Sequence, residues 1–355
     1  FFSPGRVTHV PLHVYLKGQD KIQIYVNPGG FLSGSQIDNV KNKAHTPFLY
    51  VRTDDEVLFK QNYVQNNVTK LIENYAFAAI ERDLKVRINK KRDHERMKDE
   101  IMSAQNVQDF LFPPTHFLNN DFELRGYYER ASETGGDWWH YDVVGRKAYF
   151  WIGDATGHGL PAAMVTSAVK AASTVLRDIP EMPLNKVMEL LNHAVIATGG
   201  GNVLMTFFLA ALNLDTGEME YCSASHDGPF IAPATAAEMK KSDLIYLDGD
   251  NGPRLGDKET SKFPLEKTQI DPGDRILFYT DGLTELENAQ GQQWGERRFL
   301  QALLKAFNSN SGVIAPMQLL GRDMEDFRRS QHFIDDVTCF IVLYKPSARV
   351  VKNAA

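Results

Sequence analysis

An α+β architecture, an antiparallel β-sandwich flanked by helices and preceded by a small strand-rich domain and a helical linker, is what this sequence predicts. Three observations carry the expectation. Beyond Thr115, apolar runs of strand length alternate with stretches of helical period. The strands are joined mainly by hairpin-length turns such as Asp215-Thr216-Gly217. Ahead of them, residues 62–112 contain neither proline nor glycine. At 355 residues the chain exceeds what one core usually organises, so two domains are expected, and 43% hydrophobic with 24% charged residues is an ordinary globular composition.

In the expected strand-rich domain, residues 1–62, alternating runs at 12–16 and 22–26 are broken by Lys17-Gly18-Gln19-Asp20 and Asn27-Pro28-Gly29-Gly30, which reads as hairpins, with a third strand at 48–52. The linker, residues 63–114, carries Val64, Val68, Leu71 and Tyr75, then His94, Met97, Ile101, Ala104 and Leu111, at helical spacing until Pro113-Pro114 stops it. Its alternatives are a helix packed on its own domain and a linker that pairs with a second copy as a short coiled coil. The third domain, 115–345, is read as strands at 122–128, 148–152, 203–213, 219–224, 275–279 and 337–344, with helices at 160–177, 183–197, 296–307 and near 317–327. A tail follows at 346–355.

Several classes of function are disfavoured. A net charge of −6 gives no support to nucleic-acid binding, and the basic run at 85–96 is interleaved with acids on a solvated face. Cys222 and Cys339 lie far apart in apolar segments, so no disulfide framework or thiolate metal site is expected, and a reducing, cytoplasmic compartment fits. The apolar stretch 203–214 is too short for a bilayer span. Opening at Phe1 rather than methionine, the chain reads as a fragment or processed product, with an upstream membrane or sensor segment left open.

Four acidic clusters share one setting, an aspartate at a strand end beside small or turn residues: Gly135-Gly136-Asp137, Gly153-Asp154-Ala155-Thr156-Gly157-His158-Gly159, Thr280-Asp281-Gly282 and Asp335-Asp336. Convergent carboxylates repel unless a positive charge lies between them. Hard divalent cations, Mg²⁺ or Mn²⁺, prefer oxygen ligands and need no histidine or cysteine cage. Two such ions, roughly 3.5–4 Å apart, hold a water as a nucleophile and neutralise phosphate oxygens, so phosphoester hydrolysis is the natural chemistry. Taken singly, an Asp-Gly pair is usually just a turn.

The ordered combination resembles the type 2C (PPM) protein phosphatases, in their bacterial SpoIIE-type branch. It is carried by Val107-Gln108-Asp109-Phe110-Leu111-Phe112-Pro113-Pro114, Gly135-Gly136-Asp137-Trp138-Trp139, the run from Gly153 to Ala163, Thr206-Phe207 and Ser223-Ala224-Ser225-His226. Further on it rests on Pro272-Gly273-Asp274, Tyr279-Thr280-Asp281-Gly282-Leu283-Thr284-Glu285, Trp294-Gly295-Glu296 and Asp335-Asp336-Val337-Thr338. The resemblance implies that Asp154 bridges two metals, with the Ala155 carbonyl completing one shell, Asp281 and Asp335 on one metal and Asp137 on the other. Asp336 is the fallback for Asp335.

The reaction so implied is direct attack of a metal-bridging water on phosphoserine or phosphothreonine. The implied substrate is a phosphorylated, anti-anti-sigma (STAS)-like protein, with the linker relaying a signal by positioning Gly135-Gly136-Asp137 and serving a homodimer. His158 stands four residues after Asp154, not two, so no general-acid role transfers to it. His226 reads as a loop hydrogen-bonding residue, and Trp138 and Trp139 as core rather than a docking surface. The rival readings are a pseudophosphatase that serves as a signalling scaffold and a nucleotide cyclase, whose purine-recognition pattern is not seen here.

Overall fold

The computed structural model describes residues 11–16, 21–36, 38, 49–59, 65–179, 181–234, 238–309, 311–329 and 331–346. It divides into two units, Phe1–Arg96 and Met97–Ala355. In the first, β1 (Leu12–Leu16) pairs antiparallel with β2 (Lys21–Val26) and with β3 (Leu49–Tyr50), giving the order β2-β1-β3. The Pro28-Gly29 turn is closed by Gly30 N–H to Asn27 O at 3.0 Å, with Gly29 at φ +83°, a conformation glycine adopts without strain. The turn expected at 17–20 and the tail from 347 onward lie outside the described residues.

A 45-residue helix, α1 (Gln65–Asp109), contains the boundary between the units. In its second-unit part Met97, Met102 and Val107 are exposed, whereas Gln108 is buried.

Two antiparallel sheets make the sandwich of the second unit. One runs β11-β10-β14-β15-β5-β4, from β4 (His116–Leu118), β5 (Phe122–Glu129), β10 (Phe230–Ala232), β11 (Ile245–Tyr246), β14 (Arg275–Tyr279) and β15 (Val337–Tyr344). The other runs β12-β9-β8-β7-β6, from β6 (Asp137–Val144), β7 (Lys147–Ala155), β8 (Met205–Asn213), β9 (Glu218–Ala224) and the short parallel β12 (Asn251–Gly252), with β13 (Glu266–Gln269) also on β9.

The period of two along each strand splits the side chains between layers. On β8, Phe208, Ala210 and Leu212 enter the core between the sheets; Phe207, Leu209 and Ala211 face α2 (Leu160–Leu176) and α3 (Leu184–Gly199). On β15, Phe340 and Val342 enter the same inner core, while Cys339 and Ile341 face α5 (Gly295–Ser309) and α6 (Ile314–Arg328). Each sheet is therefore covered on both faces, helix over sheet over sheet over helix, and its central strands are apolar almost throughout.

The same phase positions the chemistry. Asp154 follows Ile152 by two residues on β7, Thr280 follows Phe278 beyond β14, Thr338 precedes Phe340 on β15, and Asp137 precedes Trp139 on β6. All four neighbours belong to the inner core, so these four side chains emerge between the sheets at one end of the sandwich.

Candidate functional site

Strand register brings the first pair together: Asp137 lies directly opposite Asp154 across β6 and β7, and Ala155 N–H donates to Gly136 O at 3.1 Å. From the opposite sheet, the hydroxyls of Thr280 and Thr338 both donate to Asp137 Oδ2, at 2.8 and 2.5 Å. Asp137 is thus a carboxylate sealed at the mouth of the inner core, only 1% exposed. Burial, followed by the charges of Asp154 and Asp336, pushes its pKa well above the ordinary carboxylate range, and the two threonine bonds only partly oppose this. Asp154 is pushed up to about 8, first by burial and then by Asp281, Asp335 and Asp336.

The second pair is assembled by two turns in contact. Asp281 opens α4 (Gly282–Glu285), and a Cβ on Gly282 would lie 1.9 Å from the carbonyl oxygen of Asp336. Only glycine allows that approach, which sets the Asp281 turn against the Asp335-Asp336 turn. Asp281 is exposed, and its pKa is raised by desolvation and then by Asp335.

Asp336 and Asp335 are placed differently. Asp336 is buried, and its Oδ1 accepts Ala131 N–H at 2.8 Å while its Oδ2 accepts the N–H groups of Gly136 and Asp137 at 2.5 and 3.2 Å. Its carboxylate therefore holds the loop that precedes β6. Asp335 accepts the Asp336 N–H on Oδ1 at 2.8 Å and is partly exposed. Gly135 and Gly136 are required in that loop: a Cβ on the first would meet Tyr128 Oη at 2.4 Å, and on the second Ala155 O at 2.7 Å. The end of α1 grips the same loop. Gln108 Nε2 donates to Gly135 O at 2.7 Å, Gln108 Oε1 accepts Gly135 N–H at 3.1 Å, and Nε2 also reaches Thr166 Oγ1 on α2 at 3.5 Å.

The five expected aspartates thus gather at one mouth. Among the described residues, however, no three His, Cys, Asp or Glu side chains already stand close enough to grip an ion. Oxygen-only donors that repel one another, with backbone carbonyls behind Gly136, fit a hard divalent cation, which would replace protons and draw them in.

The histidines stand apart from this set. His158 is exposed in its loop, between Gly157 and Gly159 at φ +82°. His226 is buried, its Nδ1 2.9 Å from Thr206 Oγ1, and burial pulls its pKa down to about 4, leaving it neutral near pH 7. Trp138 and Trp139 are fully buried and form core rather than a docking surface. Thr280, Thr338 and Gln108 stood inside the quoted motifs without a role, and the structure shows what they touch: Asp137 for the two threonines and the Gly135 backbone for Gln108. For the two threonines the inner-face phase was an available signal; for Gln108 its place in the motif was, but not its partner.

The two-sheet sandwich between helix pairs superposes on solved PP2C domains. The SiaA-PP2C domain of Pseudomonas aeruginosa superposes with a TM-score of 0.58 at 15% identity, covering 71% of this chain and 98% of that one. The RsbU and RsbW domains of Rv1364c from Mycobacterium tuberculosis give 0.53 at 24%, covering 65% and 62%. These likenesses concern the fold. The family described as Stage II sporulation protein E (SpoIIE) matches residues 145–345, more than half of the sequence, and the chain belongs to that family. It is 26% identical over 211 residues to the phosphoserine phosphatase RsbU of Bacillus subtilis (strain 168); the match takes in 59% of this chain and 60% of RsbU. The chain therefore spans about three-fifths of that curated relative. No described helix is long and apolar enough to cross a membrane.

Because Asp154 binds its proton more tightly folded than unfolded, the folded, metal-free chain holds the extra proton from the ordinary carboxylate range up to about pH 8. Its stability therefore falls as pH rises through that window. Asp154→Asn is expected to raise metal-free stability in urea at pH 8 by roughly 1–3 kcal/mol and to change it little at pH 4. An equal effect at both pH values would contradict the assigned repulsion.

Proposed function

We propose that this chain is a metal-dependent serine/threonine protein phosphatase that hydrolyses phosphoserine or phosphothreonine on a STAS-like regulatory protein. The carrying observation is the meeting of Asp137, Asp154, Asp281 and Asp335 at the mouth between the sheets, with raised carboxylate pKa values at the first three. Membership of the SpoIIE family and likeness to the phosphoserine phosphatase RsbU support the hydrolysis of phosphoserine; the STAS-like carrier rests on the family resemblance of the motifs.

In this reading Asp154, Asp281, Asp335 and Asp137, with the Ala155 carbonyl, would hold two Mn²⁺ or Mg²⁺ ions. Bound there, such ions supply a water acidified to near neutrality and positive charge for the phosphate oxygens. The remaining work falls to the chain. Thr280 and Thr338 fix one oxygen of Asp137 and leave the other toward Asp154. Asp336 acts as the anchor of the 131–137 loop rather than as a ligand, supported by the three N–H groups that occupy its oxygens. His226, neutral and buried, is not the acid that protonates the leaving serine. Asp154→Ala and Asp281→Ala are each expected to lower Mn²⁺-supported hydrolysis of an aryl phosphate by roughly a hundredfold or more; activity equal to that of the unchanged protein would refute the reading.

The end of α1 belongs to the same machinery. Gln108 ties it to the backbone of Gly135, two residues before Asp137, so a shift of the helix end would be felt at the buried carboxylate. A homodimer seam along α1 belongs to the same reading; Met97, Met102 and Val107 are exposed but, five residues apart, spread around the helix and do not themselves mark its face. Gln108→Ala is expected to lower turnover roughly tenfold while the protein sediments, like its parent, as a dimer. Unaltered turnover would remove the regulatory link, and a monomeric parent would remove the seam.

A further inference from the structure

Next to the carboxylate mouth lies a cavity of about 570 Å³ for which the proposed hydrolysis has no use. The two share one turn of helix: α4 begins directly after Asp281, and its Thr284 and Glu285 line the cavity. Four residues of helix rise only about 6 Å, so a peptide with its phosphate at the mouth lays neighbouring side chains over this opening.

Its chemistry has two parts. One wall is aromatic: the Phe230 ring lies 4.9 Å from that of Tyr246 and 5.9 Å from that of Tyr279, and Phe299 backs Tyr279 at 5.0 Å. Gly228 N–H donates to Tyr246 Oη at 2.9 Å and fixes that ring's outer edge. The other part is charged: among the described residues that line it, Asp227, Glu285 and Glu296 stand against one cation, Lys241. Lys241 Nζ stands 3.5 Å from Glu296 Oε1, with both side chains about two-thirds exposed (70% and 68%). A pair so open to water is weak and readily displaced.

We propose that this cavity receives a cationic side chain, arginine above lysine, from a residue within about three positions of the phosphorylated one in the protein substrate. This deepens the phosphatase reading and rests on it. Aromatic faces beside carboxylates suit a guanidinium, which stacks on rings and spans carboxylate oxygens through its planar fork. Lys241 occupies Glu296 in the substrate's absence and gives way to it. Once divalent cations neutralise the mouth, the cavity keeps its excess of negative charge, so selection for cationic neighbours persists in the loaded protein.

The test ranks binding. Phosphonate peptides that mimic phosphoserine, carrying either arginine or glutamate at the flanking positions, are titrated by fluorescence anisotropy against the Mn²⁺-loaded full chain. The arginine peptide is expected to bind roughly tenfold or more tightly than its glutamate counterpart. Glu296→Lys should abolish or invert that ratio, and Lys241→Gln should widen it. Each ratio is taken within one variant, so partial misfolding or lowered metal content cancels. Equal affinities in the unchanged chain, or a ratio that Glu296→Lys leaves intact, overturn the proposal. Failure to hydrolyse an aryl phosphate strikes the phosphatase reading instead, since the ranking requires no turnover.

Discussion

Repulsion among the carboxylates at the open end of the sandwich is the constraint on which the other features of the second unit depend. Placing Asp137 and Asp154 side by side in a desolvated mouth costs free energy unless protons or cations intervene. The surrounding contacts hold the groups there regardless. Asp336 ties the 131–137 loop by three backbone bonds, Gly282 lets two turns meet at the Asp336 carbonyl, and the hydroxyls of Thr280 and Thr338 grip Asp137 from the opposite sheet. Both sheets must be in place before the mouth exists. Its electrostatic cost is therefore borne by the inner core, where Phe150, Phe208, Phe278 and Phe340 pack.

That arrangement leaves the loop before β6 as the most sensitive element. It carries Asp137, is anchored from beneath by Asp336 and is gripped from outside by Gln108 at the end of α1. A helix that ends on the loop can act on the carboxylates without touching them. On the other flank, α4 follows Asp281 and lines the aromatic and acidic cavity, so the element that presents one carboxylate also borders that space.

How legible these features were in the sequence follows from burial. β8 and β15 are covered on both faces and show as nearly unbroken apolar runs; their expected bounds, 203–213 and 337–344, fall within two residues of the observed ones. β6 escaped notice because it mixes core tryptophans with polar His140 and Asp142, and Asp142 pairs with Arg177 just beyond α2 at 2.6 Å. β10 to β13 are too short to show a period, and their existence depends on their partners. Asp137, Asp154 and Asp281 stood out because glycines flank them, and Asp335-Asp336 because the pair directly precedes an apolar strand. The different environments of Asp335 and Asp336 could not be read from adjacent identical residues; they arise from Ala131, Gly136 and Asp137, some two hundred positions away. The contact of Gln108 was equally hidden: the residue stood in a quoted motif, but its partner Gly135 is 27 positions away.

The central claim, that buried carboxylates are kept together by protons which a divalent cation replaces, is tested most directly by calorimetric titration of Mn²⁺ into the metal-free chain in buffers of differing ionisation enthalpy. With Asp154 pushed up to about 8 and Asp137 well above the ordinary range, binding at pH 7 should release roughly one proton or more per chain, declining above about pH 9. Binding at pH 7 with no proton release would contradict it.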